Sequence, residues 1–327
     1  MIVKNTFNKN IIIDNHHYNL DIVKNVDKNV NKTRVLIPTF IANETHKNVT
    51  RVCIESINKF TSDEVEIWVI NNNSPEQYCD WLTKLSAELK FNLVLNRTEP
   101  VNPLHRRNPN LTPVTKYWRL LTHKWKSYER GRQSTDGSYA NAIGLELGSK
   151  CIDSNSKTIF TMHSDSIVTK KTWLSHLKSK LNKKVQASTF RTDPRRVHAA
   201  HIGGLLLNYS LFQDLNMTFM PNMRQERYSN RPEYDVGDQI SLKLRSNGYD
   251  FFSSPNTFND PSLINLIDDN SPYVTLACDK CFDDKNEVFY MHMGRGTHKS
   301  SGRYRYDPEK TFPEQWIDFA DKYILNK

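Results

Sequence analysis

Residues 158–168, TIFTMHSDSIV, run from a mostly apolar start into His163, Ser164, Asp165 and Ser166. The first half has the β-branched and aromatic character of a buried strand. A carboxylate at the mouth of a core strand is costly unless something pairs with it. A divalent metal ion is one such partner. The plainer alternative is a helix cap, with Asp165 or Ser166 closing a segment that starts near Thr169.

The flanking sequence alternates. TRVLIPTF (33–40), EVEIWVINNNS (64–74) and FNLVLNR (91–97) read as strands, while NVTRVCIESINKF (48–60), SPEQYCDWLTKLSAELK (74–90) and GSYANAIGLELGSK (137–150) read as helices. Such alternation predicts right-handed βαβ units and a parallel sheet. Ligands of such sheets bind beyond the carboxyl ends of the strands. Those ends are Pro38–Thr39, Asn71–Ser74, Asn96–Arg97 and His163–Ser166, all polar and expected to converge on one crevice. Further on, TKKTWLSHLKSKL (169–181) is amphipathic, and HIGGLLLNYSLF (201–212) carries a Gly pair before an apolar run. ISLKLRSNGYDFF (240–252) predicts a short helix closed by Asn247-Gly248, then a strand. EVFYMHMGRGTHKSSGRYRY (287–306) predicts a strand opening into a Gly- and Arg-rich loop, and 313–325 is again amphipathic.

The 327 residues provide ample material for a core. Five cysteines, at 53, 79, 151, 278 and 281, are too sparse and too odd for a disulfide framework. No apolar run approaches a membrane span and the N-terminus lacks a secretory signal, so a cytoplasmic location is expected. The net charge of +9 favours acidic partners. Most of it falls in residues 100–132, where eight Lys and Arg face the single acid Glu129, interleaved with Tyr117, Trp118, Trp125 and Tyr128. That mixture suits a single-stranded or flipped-out nucleic acid. It equally suits an amphipathic helix that buries Trp118, Leu121 and Trp125, with a basic face toward an anionic membrane.

In order from about residue 34 to about 298, VLIPTF, VINNNS, GSYANAIGLELG, HSDSIV with the following WL, IGGLLLNYSLF, GDQISLKLRSNGY and HMGRG resemble the GT-A glycosyltransferases, particularly the large family-two group. The resemblance implies an α/β fold: a Rossmann-like, nucleotide-sugar-binding, mostly parallel sheet flanked by helices, with a smaller acceptor-side region. It divides the chain into an N-terminal arm or edge strand (1–32), a catalytic domain (33–306) and a C-terminal helix (307–327). A basic insertion (100–136) and an acceptor-side loop (220–236) fall inside the catalytic domain. The implied activity is metal-dependent transfer of a sugar from a nucleotide-sugar, with UDP-sugar expected, to an acceptor hydroxyl. A glycan or glycolipid ranks first as acceptor, and hydroxymethylated pyrimidines in phage DNA rank second. A non-catalytic nucleic-acid-binding protein, with or without a stabilising zinc ion, is the reading from a different class. Donor sugar, anomeric outcome and oligomeric state are encoded in none of these motifs.

Two departures from the family pattern stand out. Asn71 occupies the position where the family usually carries a base-binding Asp, which changes the donor and acceptor pattern offered to the base. The usual Asp-x-Asp reads His163-Ser164-Asp165, so only the last carboxylate remains.

Asp165 is the expected ligand of Mn²⁺ or Mg²⁺, which offsets the charge of a diphosphate leaving group. Strand alternation would put His163 on the same face. The resemblance adds His292 as a late ligand, and imidazole favours Mn²⁺ over Mg²⁺. Thr39, Asn71, Asn73, Arg97, Asn141 and Ser164 are expected on the donor side, with Arg295, His298, Lys299 and Arg303 gripping the diphosphate. Each also suits an ordinary turn, cap or solvated basic loop. Asp238 is the expected general base, with Asp235 and Glu233 as runners-up; capping of the following helix is the plain alternative. A competing zinc reading takes Cys278, Cys281, His292 and His298 as C-x2-C-x10-H-x5-H.

Overall fold

The computed structural model describes residues 6–26, 31–61, 64–101, 125–193, 197–221, 234–294 and 310–327, and for 125–136 the backbone alone. β3 (Thr33–Thr39), α1 (Glu44–Thr61), β4 (Val65–Asn72), α2 (Glu76–Leu89) and β5 (Asn92–Asn96) form two successive βαβ units with parallel pairing. All three strands are buried along their whole length. This is the signature of parallel strands covered on both faces, and it explains their near-continuous apolar runs.

A hairpin of β1 (Thr6–Ile13) and β2 (His16–Val23) extends the sheet past β5, over a turn in which Asp14 and Asn15 take positive φ. Those residue types tolerate the left-handed conformation that tight hairpins require. On the other side of β3 lies β6 (Thr158–Met162), which begins the stretch quoted above. Beyond β6 come β11 (Gly204–Asn208), β8 (Val185–Thr189) and β12 (Asp250–Ser253). The nine-stranded order is β1-β2-β5-β4-β3-β6-β11-β8-β12. Only β2 and β11 run against the other seven. The chain leaves β3 toward β5 and returns to β6 on the opposite flank. The switch point therefore falls between β3 and β6, the place where ligands of such sheets bind beyond the carboxyl ends.

TIFTMHSDSIV is not one strand. It stops at Met162, turns through His163–Asp165 and resumes as β7 (Ser166–Val168). β7 joins a second sheet with β14 (Val288–His292) and β13 (Asp279–Phe282), in the order β13-β14-β7. The quoted stretch thus links two sheets, and its polar middle is the hinge between them.

Helices cover both faces. α1, α2 and α4 (Trp173–Ser179) bury Ile54, Leu82, Trp173 and Leu174 against Val69 and Phe160. On the other face, α3 (Trp125–Cys151), α5 (Tyr209–Asp214) and α6 (Asp238–Ser246) bury Leu145, Leu147, Phe212, Ile240 and Leu244 against Leu36, Ile70 and Leu205. Each such large aliphatic or aromatic side chain contributes roughly 1.5–3 kcal/mol on full burial. α3 starts twelve residues before the expected helix at 137 and lies close on the sheet. A Cβ at Gly144 would stand 2.9 Å from Pro38 Cβ, and one at Gly148 would stand 2.8 Å from Ile70 Cδ1. A third cluster joins the outer side of α1 to β14 and α7 (Phe312–Phe319) through Val49, Val52, Met291 and Trp316. No helix among the described residues is long and apolar enough to cross a membrane.

Candidate metal and donor site

His163 and Asp165 meet through a turn and not through strand alternation. The Ser166 N–H donates to His163 O at 3.2 Å, which folds the two side chains toward one point. β14 brings the third group: His292 pairs with Ser166 across the small sheet, and the Met293 N–H donates to Asp165 O at 2.9 Å. His292 Nε2 lies 3.4 Å from both Asp165 Oδ1 and His163 Nδ1, and His163 Nδ1 lies 4.0 Å from Asp165 Oδ1. Asp165 and His292 are buried and His163 is half-buried.

Ligand atoms about 2.0–2.2 Å from an ion stand roughly 3.0–3.5 Å from one another. Two of the three separations already meet that requirement and the third needs a sub-ångström adjustment. Two imidazoles and one carboxylate form a donor set for a divalent transition ion, and among the described residues this is the group that brings metal-binding side chains together.

The protonation pattern agrees with a shared site. Burial opposes a charge on Asp165, yet the facing His292 ring, with His163 beside it, holds the carboxyl well below the usual carboxylate range. Burial also pushes His163 down to about 4, with the neighbouring His292 charge acting in the same direction. For His292, burial is outweighed by the Asp165 and Asp279 carboxylates, and its pKa is raised. Asn141, on α3, lies 3.0 Å from His163 Nε2. The facing atom is the Asn141 amide nitrogen, which donates to Nε2 as placed; a ligand role for Nδ1 requires the amide to turn over and accept from Nε2.

Three residues of the cluster were not singled out in the sequence. His201 stands with its ring 5.3 Å from that of His163 and 5.7 Å from that of His292. Asp279, opposite His292 in the β13–β14 register, has Oδ2 3.3 Å from His292 Nδ1. Arg191 places one guanidinium nitrogen 2.6 Å from Asp279 Oδ2 and another 2.9 Å from His201 Nε2. Gly203 makes the convergence sterically possible, because a Cβ there would lie 2.8 Å from His201 Cε1 and 2.9 Å from His163 Nδ1. The HIGG stretch carried a signal for His201. Asp279 and Arg191 become visible only through long-range register.

The remaining expected residues divide. Thr39 is buried with its hydroxyl 3.1 Å from that of Thr50 on α1. Asn71 is fully buried: its amide nitrogen lies 3.2 Å from Cys79 Sγ, and its oxygen accepts from Ser74 Oγ. Asn73, at φ 65°, sits half-buried just past β4, and Ser164 lies in the 163–166 turn. Arg97 is engaged by Asp21 and Glu76, each at 2.7 Å. Phe40, just past β3, is 55% exposed. At the start of α6, Asp238 is buried and its Oδ2 accepts the Asp235 N–H at 2.8 Å. Arg295, His298, Lys299, Arg303 and Glu233 lie outside the described residues, as does 102–124 of the basic segment.

The described part of the zinc reading does not assemble. Cys281 is buried, with its thiol directed at Phe190 O at 3.5 Å. Burial pushes the Cys278 thiol up to about 11 and the Cys281 thiol well above its ordinary value. His292 faces Asp165 and Asp279 instead.

In structure the chain is similar to a mannosyltransferase from Pyrobaculum calidifontis in complex with GDP-Man and Mn²⁺, at 12% identity over 68% of this chain and 55% of that one, with a TM-score of 0.41. It is also similar to S. aureus TarS 1–349, at 14% identity over 68% and 57% of the two chains, TM-score 0.39. A third similar structure is the galactosyltransferase LgtC in complex with donor and acceptor sugar analogues, at 12% identity over 89% and 96%, TM-score 0.46. The aligned region thus spans a little over half of the first two proteins and nearly all of the third. No protein-family model matches the chain, and no curated protein matches it.

Proposed function

We propose that the chain is a metal-dependent glycosyltransferase that takes its sugar from a nucleotide-sugar, with a UDP-sugar as the first choice. The carrying observation is the His163, Asp165 and His292 triangle at the carboxyl end of β6, beside the β3–β6 switch point. The motifs that resemble the GT-A glycosyltransferases follow the same order along this fold. His163 Nδ1, Asp165 Oδ1 and His292 Nε2 would hold the ion, and two imidazoles favour Mn²⁺ over the oxygen-seeking Mg²⁺. When bound, such an ion offsets the charge that grows on a diphosphate leaving group. Thr39, Asn71 and Asn73 at the ends of β3 and β4, Asn141 on α3, and Ser164 in the 163–166 turn are proposed as donor-side residues, with exposed Phe40 beside Thr39. Arg295, His298 and Arg303 are proposed as further phosphate partners, and Arg97 as a support of the β5 end.

Proton removal from the acceptor hydroxyl is assigned to the Asp235–Asp238 pair. Asp238 is the first candidate and Asp235 the second, and the two are tied by the Asp235 N–H to Asp238 Oδ2 bond. A glycan or glycolipid is the proposed acceptor. The test is a mass-spectrometric screen of nucleotide-sugars with Mn²⁺ against an oligosaccharide pool, a glycolipid and hydroxymethylated DNA. Mn²⁺-dependent transfer that disappears in Asp165→Asn supports the reading. A product on DNA alone replaces the acceptor. DNA binding without any turnover of a nucleotide-sugar overturns the reading.

A further inference from the structure

The geometry points to Asp279 and Arg191 as positioning residues that hold His292 in the orientation a metal ligand needs. This inference rests on the metal reading above and adds an outer layer to it. His292 sits at the end of β14 with a carboxylate on each side of its ring: Asp165 at 3.4 Å from Nε2 and Asp279 at 3.3 Å from Nδ1. A ring that gives its Nδ1 proton to a carboxylate is fixed in one tautomer, with Nε2 free to ligate and more basic. Asp279 is therefore the group that selects Nε2.

Asp279 is itself held. Arg191 Nη1 lies 2.6 Å from the same Oδ2 that faces His292, and its other terminal nitrogen lies 2.9 Å from His201. The guanidinium also stacks 4.0 Å above the Phe258 ring. Both side chains are largely buried, at 14% and 21% exposure, so the pair is shielded from salt. Gly294, at φ +68°, lies directly over this carboxylate: a Cβ there would stand 3.4 Å from Asp279 Oδ2. The strand end that carries His292 is thus built around Asp279. A plain surface ion pair would need neither the aromatic floor nor the shared oxygen.

The test uses the full chain, stripped of metal and titrated with Mn²⁺, with free Mn²⁺ read by electron paramagnetic resonance and bound imidazole by electron spin-echo modulation. Wild type is expected to bind Mn²⁺ with nitrogen couplings from two imidazoles. Asp279→Asn keeps size and polarity but not the charge. It is expected to weaken Mn²⁺ binding by about 10–100-fold and to weaken one of the two nitrogen couplings. Arg191→Lys is expected to fall between the two proteins. A folded Asp279→Asn with wild-type affinity and both couplings overturns the inference while leaving the metal reading in place. Should Asp279→Asn fail to fold, Arg191→Lys decides: unchanged Mn²⁺ affinity overturns the inference and weakened affinity supports it. A wild-type chain that binds no Mn²⁺ overturns both.

Discussion

Glu66 and Asp165 are both buried carboxylates at opposite ends of one sheet's strands, and they are satisfied in opposite ways. Glu66 lies at the amino end of β4, directly across from Arg34 of β3 at 3.3 Å. It also accepts from Trp68 Nε1 at 2.9 Å and Asn92 Nδ2 at 3.1 Å. Its cation is permanently charged, and the donors come from the same sheet wall. Asp165 lies at the carboxyl end of β6 and faces two imidazoles, one brought by its own turn and one by a second sheet. Those partners titrate and can exchange a proton for a metal ion. A buried charge with a fixed partner locks a fold, whereas a buried charge whose partners are all metal-ligand types marks a site.

The comparison can be broken by exchanging the fates of the two acids. Glu66→Ala leaves Arg34 buried without its carboxylate and is expected to cost about 3–5 kcal/mol of stability, with or without Mn²⁺, in chemical denaturation. Asp165→Asn should reduce sugar transfer by about a thousandfold, close to 4 kcal/mol, while the metal-free protein still melts cooperatively. Melting with and without Mn²⁺ sharpens the point. At one hundred times Kd the ion should stabilise wild type by about 2.7 kcal/mol, chelation should remove that gain, and Asp165→Asn should never show it. Equal gains in the two proteins would place the ion elsewhere.

Smaller effects follow outward from the site. Gly203→Ala forces the His163 and His201 rings apart and should weaken Mn²⁺ binding by about tenfold, near 1.4 kcal/mol. Arg97→Ala breaks two pairs at the β5 end whose members are one-third to two-thirds exposed, and is expected to cost under about 1 kcal/mol. A transfer defect from Arg97→Ala comparable to that of Asp165→Asn would erase the distinction between the two strand ends.

Much of this was legible in the residues. The runs around 33–97 gave β3, α1, β4, α2 and β5 because alternation of apolar strands and amphipathic helices is a local signal. The HSD triplet was visible as a polar break in an apolar stretch. What strand periodicity misplaced was the means: a turn at 163–166, and not alternation, brings His163 to Asp165. His292 came through resemblance, and β14 seats it beside Ser166. Arg191 and Asp279 stayed hidden because their roles depend on a guanidinium and a carboxylate 88 residues apart, one in the loop after β8 and one on β13, meeting in the fold. Arg97 shows the opposite error source: a polar strand end reads the same whether it faces a ligand or two acids.

The most direct measurement is anomalous scattering at the manganese edge from crystals grown with Mn²⁺ and a nucleoside diphosphate. A single strong peak about 2.0–2.4 Å from His163 Nδ1, Asp165 Oδ1 and His292 Nε2 is the predicted result. A diphosphate bound in the crevice with no peak inside that triangle would contradict the account.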